Sequence, residues 1–372
     1  MKRPVVYALV LVIALFMILP LSASAQPGVK LKKDDIRWIS LGGGLRSSFS
    51  AVEKAAPDGT DFSKDFNFED FRLYINAQVH KGITFEFNTQ QADGSRQILD
   101  AVAKFHFSPL FTVWAGRFLP PSDRALLDGP FFLNTFDFPF VSAYPNISAG
   151  RDNGVAFWGL AGKLKYQVGA FQGRQGGANV KDNPLFTARM TYNFWDPEPE
   201  IYYNQSAYYG EKDILSIGVV AMYQDNGAGT AEVNGDFTGW NVDFLMEKKL
   251  GNKGVVNLEF AYYDYELDDV DDSSFSGFSL TQGQSYFILG SYMFPSTVGW
   301  GKFQPHVRYQ EFDRDSTNAV GNRGIRSKIE GGINYIIDGH NARLALIAGS
   351  ERPGPGQERI NSVKLGLQLQ LF

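Results

Sequence analysis

The charged residues with the most suggestive spacing lie in a stretch that has no regular period. Residues 119–153 carry Asp123, Arg124, Asp128, Asp137, Arg151 and Asp152, interleaved with Phe131, Phe132, Phe136, Phe138 and Phe140. Arg117 stands just before it. Opposed acids and bases on a phenylalanine-anchored loop could steer small ions by Coulomb attraction, as charged constrictions do in aqueous pores. Nucleophilic chemistry has little to work with. A lipid-cleaving barrel needs a Ser and a His at its rim with an orienting partner. The chain has no Gly-x-Ser-x-Gly, and its four histidines are His80, His106, His306 and His340. No enzyme activity is expected. Glu266, Asp268, Asp269, Asp271 and Asp272 form an acidic run without the glycine and spacing of a helix-loop-helix calcium loop. It reads as a solvated outer loop, or as one making loose divalent contacts near lipopolysaccharide, and no metal site or cofactor is expected.

Those residues need a frame, and the frame is β throughout. Phe71, Leu73, Ile75, Ala77 and Val79 alternate with Arg72, Tyr74, Asn76, Gln78 and His80. Phe186 to Tyr192, Trp240 to Met246, Val256 to Tyr262, Ile329 to Ile337 and Val363 to Leu371 alternate likewise. About sixteen such runs can be traced, starting near residues 36, 68, 83, 98, 111, 154, 163, 185, 213, 237, 254, 284, 303, 326, 342 and 360. Short connections (81–82, 108–110, 161–162, 250–253, 338–341) alternate with longer ones (51–67, 119–153, 172–184, 225–236, 268–281, 313–325). An even strand count, with short turns at one end and long loops at the other, is the pattern of an outer-membrane barrel. The expected fold is therefore all-β: a transmembrane antiparallel β-barrel of about sixteen strands, with its long third loop folded into the lumen. Residues 195–213, WDPEPEIYYNQSAYYGEKD after Phe194, break the pattern, because parity puts this long connection on the short-turn end.

Composition agrees. Residues 1–25 read as an export signal: Lys2 and Arg3, an apolar run, then Ser22-Ala23-Ser24-Ala25. The barrel would occupy 26–372, in the outer membrane of a bacterial cell. Removing Lys2 and Arg3 takes the formal charge from −5 to −7, which argues against a nucleic-acid partner. There is no Cys, and a barrel closes by backbone hydrogen bonds without disulfides. The chain ends on Phe372, an aromatic terminus like the one by which outer-membrane barrels are recognised for assembly. Aromatics at strand ends (Phe66, Phe68, Phe105, Phe107, Tyr262, Tyr263, Tyr265, Phe294, Trp300) fit interfacial girdles. If apolar faces meet lipid, then Arg72, Lys104, Arg189, Arg308, Lys328, Arg343 and Lys364 face the lumen, with Glu86, Asp243, Glu247, Glu259 and Glu330. A basic wall opposite an acidic loop would set a transverse field. Arg117 shares the outward parity of Val113 and Ala115, and a bulge near Pro120 would turn it inward. Neutralising Arg124 and Arg151 is expected to shift selectivity toward cations.

The segment AGRFLPPSDRALLDGPFF, followed by AGRDNGVAFWG and YQVGAFQG, resembles the phosphate-selective porin O and P family. The likeness continues through TYNFWDPEP, YYGEKDIL and the final strand, and is densest between Ala115 and Gly173. It implies a sixteen-stranded porin, usually a homotrimer, that guides phosphate or polyphosphate past arginines and lysines. Arg117, Arg124 and Arg151 are the arginines in the matching segment; 119–153 and 225–236 contain no Lys. The function expected is passive diffusion of small hydrophilic solutes and ions, anions such as phosphate included, by a barrel held in lipid and lipopolysaccharide. The alternative is a sheath or docking barrel in an outer-membrane assembly, for example around a periplasmic redox protein. The chain has no Cys-x-x-Cys-His, so any haem would belong to that partner.

Overall fold

Period-two alternation puts successive side chains on opposite faces of a strand, and closing the sheet turns those faces into an outside and an inside. The computed structural model describes residues 29–92, 94–142, 150–198, 204–268, 270, 282–315 and 324–371. Residues 1–25, expected as an export signal, Phe372 and the acidic residues Asp269, Asp271 and Asp272 lie outside the described residues. The first strands are β1 (Val29–Lys32), β2 (Trp38–Val52), β3 (Asp65–His80), β4 (Ile83–Ala92), β5 (Ser95–Ser108), β6 (Phe111–Phe118), β7 (Asp152–Ala161) and β8 (Leu164–Phe171). There follow β9 (Leu185–Asn193), β10 (Ile214–Gly229), β11 (Asn234–Lys249), β12 (Val255–Glu266) and β13 (Gly283–Met293). The last are β14 (Lys302–Arg314), β15 (Gly324–Asp338), β16 (Ala342–Arg352) and β17 (Ile360–Leu371).

From β2 onward each strand pairs antiparallel with the next, and β17 returns to β2, with Leu371 opposite Gly43 and Ser362 opposite Val52. The result is a closed sixteen-stranded antiparallel barrel. β1 pairs with β2 from Val29↔Leu41 to Lys32↔Trp38, along the edge that β17 stops short of. Closure gives every strand from β2 to β17 a partner on both sides, which is what allows β-structure to cross hydrocarbon.

Burial is inverted relative to a soluble domain. Leu73, Met190, Ile288 and Val307 are each half exposed, at 50–54%, while Asn241, Asp243 and Arg308 are 0–1% exposed. Two sheets stacked over an apolar centre would show the reverse. The bulkiest fully buried side chains include Arg124, Arg189, Arg308, Arg343 and Lys165, so the middle is ionic rather than hydrocarbon. One sector departs from the all-polar inner face. Trp114, Phe118, Trp158 and Phe171 point inward from β6–β8 and pack with Leu119 and Leu127 of the third loop. Tyr263 and Tyr265, expected in a girdle, also point inward and are buried, whereas Tyr262 faces out.

Residues 225–236, expected as a long loop, lie mostly in the ends of β10 and β11, with only 230–233 between the strands. After a bulge between Gln224 and Ala228 the pairing resumes to Gly229↔Asn234. Asp236 Oδ1 accepts from the Asn226 amide at 2.9 Å and holds the bulge.

Candidate constriction and the two segments that build it

The third loop, 119–151, enters the lumen after Phe118. Where no helical period was expected it forms a short helix, α1 (Arg124–Phe132), broken at Gly129 (φ 60°) just before Pro130. That backbone conformation suits glycine, and Pro130 then redirects the chain. The break carries the loop from the β10–β12 wall to the β14–β17 wall.

Arginines from the barrel wall receive the loop through its carbonyls rather than its carboxylates. Arg343 donates to the Leu133 oxygen at 2.6 Å, and Arg308 to the Asp137 oxygen at 3.0 Å. Arg46 donates to the Phe136 oxygen and lies 4.0 Å from the Phe136 ring centroid. Gln368 donates to the Phe131 oxygen at 2.9 Å, and Asn334 to the Asn134 oxygen at 2.8 Å. Two glycines let the rings lie on bare backbone. A Cβ on Gly44 would come within 2.7 Å of the Phe131 ring, and one on Gly366 within 2.6 Å of the Phe136 ring. Gly44→Leu or Gly366→Leu is therefore expected to overpack the contact and lower stability by about 1–3 kcal/mol. Denaturant midpoints of the refolded barrel check this.

The loop's acids mostly turn away from that basic wall. Tyr263 donates to Asp123 at 2.8 Å, and burial pushes Asp123 up to about 6. The Ser206 hydroxyl donates to Asp128, whose burial raises it well above the ordinary carboxylate value. Among the described residues, Asp137 is the one loop acid that forms an ion pair with the wall, with Lys364 Nζ at 2.8 Å. Asp152, at the start of β7, accepts from the Gly173 amide at 2.6 Å. The expected single acidic side is thus split between two walls, because α1 directs Asp123 and Asp128 toward β11 and β12.

The partner of α1 is the connection that broke the loop pattern. Its described residues, 194–198 and 204–213, fold back into the lumen from the short-turn end. Glu198 takes Arg124 through both carboxylate oxygens, at 2.7 and 2.9 Å. Arg124 also reaches Ser216 Oγ at 2.8 Å and the Gln205 carbonyl at 3.1 Å. The Ser206 amide donates to the Phe132 carbonyl at 3.0 Å, and the amides of Tyr208 and Gly210 donate to Glu247 at 2.9 and 2.8 Å. Burial alone would raise Glu198; Arg124, then Lys165, and the Tyr208 hydroxyl outweigh it and hold it down at about 2. Its folded value lies below the unfolded 4.5, so this contact contributes stability above pH 4.5 and loses it as pH falls toward 2. Thermal midpoints of the barrel should drop across that window, and drop less in Glu198→Gln.

The candidate eyelet is at mid-height, between the C-terminal part of α1 and β2–β5. Arg46 and Arg72 project from adjacent strands. Asp70 takes Arg72 at 2.9 Å, and the Phe131 ring lies 5.3 Å from the Arg72 guanidinium. Across from them Arg151, at the loop's end, faces Asp100 of β5 at 3.5 Å. Tyr74 and Asn88 are buried beside them. On the short-turn side Lys104 pairs with Glu86 at 2.5 Å and lies 3.9 Å from the Trp114 ring. On the long-loop side sits a more open group: Lys364 on Asp137 and Glu69, and Lys328 on Glu330, which also takes Arg308 at 2.5 Å.

The sequence-predicted residues therefore divide. Arg72, Lys104 and Arg151 surround the candidate eyelet; Asp137, Arg308 and Lys364 lie on its long-loop side; Arg343 donates to the loop's Leu133 carbonyl. Asp123, Arg124 and Asp128 belong to the packed network with β11, β12 and the short-turn segment. Arg117 keeps its outward parity, because β6 pairs regularly with β7 through Phe118↔Asp152, and it donates to the Ile98 carbonyl at 3.0 Å. Arg46 and Asp70 were not anticipated. Arg46 lies in the Gly- and Ser-rich run GGGLRSS, whose alternation is weak, and a bulge between Arg46 and Ser47 shifts the register opposite Asp70.

A closed sixteen-stranded barrel with an apolar outside, an ionic inside and a loop lying in the lumen defines the architecture of outer-membrane porins. Solved structures of that class resemble it throughout. OmpF of Salmonella typhi, solved with daunomycin, superposes with a TM-score of 0.61 at 11% identity, covering 92% of this chain and 100% of that one. The anion-selective porin from Comamonas acidovorans gives 0.60 at 12%, covering 90% and 99%. The outer-membrane channel DcaP of Acinetobacter baumannii gives 0.58 at 15%, covering 93% and 100%. At these identities the likeness establishes the fold. No protein-family model matches the chain, and no curated protein matches it.

Proposed function

We propose that the chain is a bacterial outer-membrane porin through which small hydrophilic solutes diffuse passively, with a preference for anions. The observation that carries the preference is the pair Arg46 and Arg343. Both are buried on the lumen side, both donate to loop carbonyls, and neither makes an ion pair among the described residues. Lys328 and Lys364 add positive charge on the long-loop side. A small inorganic anion such as phosphate suits this field. The resemblance in the sequence and the anion-selective structural neighbour point the same way. A sheath around a partner protein would need a wide lumen, and the third loop and residues 204–210 narrow this one. The test is swelling of proteoliposomes in isotonic solutes. Small anions should enter faster than cations of equal size, and neutral sugars at an intermediate rate. Equal rates would remove the anion preference, and no swelling would remove the pore.

The outer surface supports a homotrimer. Outward-facing Tyr and Trp, the residues that sit at lipid headgroups, occur on β8–β15, among them Tyr192, Tyr223, Trp240, Tyr262, Tyr286 and Tyr335. Among the described residues of β16, β17 and β2–β7 none faces outward. That arc carries Gly43, Ala101, Ala103 and Ala115, small residues suited to close packing against another copy.

A further inference from the structure

We infer that residues 194–198 and 204–213 form a strap fixed across the periplasmic mouth, confining the exit to the inner face of β3–β5. The inference rests on the pore reading and adds a second constriction to it.

The strap leaves β9 and does not return directly to β10. It passes over the lower ends of β10–β14 and reaches the turn between β15 and β16 on the far side. There the His340 imidazole meets the Ala207 carbonyl at 2.8 Å, so Nε2 carries the hydrogen and donates. Nδ1 is then the acceptor facing the Tyr209 hydroxyl at 3.4 Å. The Tyr209 and His340 rings stand 4.8 Å apart, and Phe132 of the third loop packs on His340 edge-on at 5.3 Å. Tyr209 also packs on Val255, Met293 and Ile336, inward residues of three strands along the crossing. Both ends and the middle are held, the middle by Glu198 on Arg124 and by the backbone of Tyr208 and Gly210 on Glu247.

The two sides of the mouth differ accordingly. Under the strap, Ser216 is fully buried and Asn257 is 1% exposed. At the same height on the opposite wall, Asn76, Gln78 and Thr84 are partly exposed and His106 is exposed. A solute that has passed the eyelet has that one wall to follow. His106, hydrogen-bonded to Thr84 Oγ1 at 2.8 Å, is the last side chain it meets there.

The native chain has no Cys, so single cysteines report cleanly. Thr84→Cys and Ser216→Cys are near-isosteric and lie on opposite walls. In proteoliposomes, a charged methanethiosulfonate reagent should label Thr84→Cys at least about tenfold faster than Ser216→Cys, read by mass. Comparable rates would overturn the strap. Labelling is read without current, so a non-conducting protein would defeat the pore reading separately.

Discussion

Arg124→Met is expected to cost the barrel about 3–5 kcal/mol, the usual result of removing one partner from a buried ion pair. It strands Glu198, which is buried and held at about 2 largely by this arginine. Asp243, 3.9 Å from Arg124 Nε, keeps Arg189 at 2.5 Å and is less affected. Glu198→Gln alone should also destabilise, since it leaves the arginine buried beside a weaker acceptor. The double variant Arg124→Met with Glu198→Gln should recover part of the loss, because it leaves no unpaired charge. Denaturant titration of the four proteins gives the coupling; a double variant as unstable as the sum of the singles would show that the two side chains do not act together. Selectivity should change little in any of them. This reverses what the sequence suggested for Arg124, because the side chain is spent on the strap and lies away from the partly exposed wall.

The larger effect on permeation is expected from Arg46→Gln combined with Arg72→Gln. A unit charge about 4 Å from a passing ion is worth about 1 kcal/mol even at the dielectric of bulk water. Removing two should lower the anion-to-cation permeability ratio roughly tenfold or more, with the effect shrinking as salt rises and screening sets in. Arg46 also donates to the Phe136 carbonyl, so Arg46→Lys serves as a control that keeps charge while losing the fork. A reversal potential unmoved in the double Gln variant would place the selectivity filter elsewhere.

The barrel was legible because its information is local and repeated. Alternation along Phe186 to Tyr192 or Val363 to Leu371 fixes which face meets lipid, and the expected strand starts near 111, 185, 342 and 360 coincide with those of β6, β9, β16 and β17. What the sequence hid is non-local. Nothing in RALLDGPFF shows that its nine residues fold as α1, since a helix this short depends on what it packs against. The strap was visible only as an anomaly of length. Its buried residues (Glu198, Asn204, Ser206, Tyr208) are polar types that a solvated turn would also use. The arginines expected to face the lumen, Arg308 and Arg343 among them, are engaged by loop carbonyls, and backbone oxygens leave no mark on a sequence.

The central claim is that water and ions cross this cylinder along a path narrowed by arginines. The direct measurement is the reversal potential of single channels in a planar bilayer under a salt gradient. Discrete conductance steps are expected, with a potential displaced toward the anion equilibrium value and reduced when phosphate competes with chloride. Folded protein that gives no steps, or steps with a cation-directed potential, would contradict it.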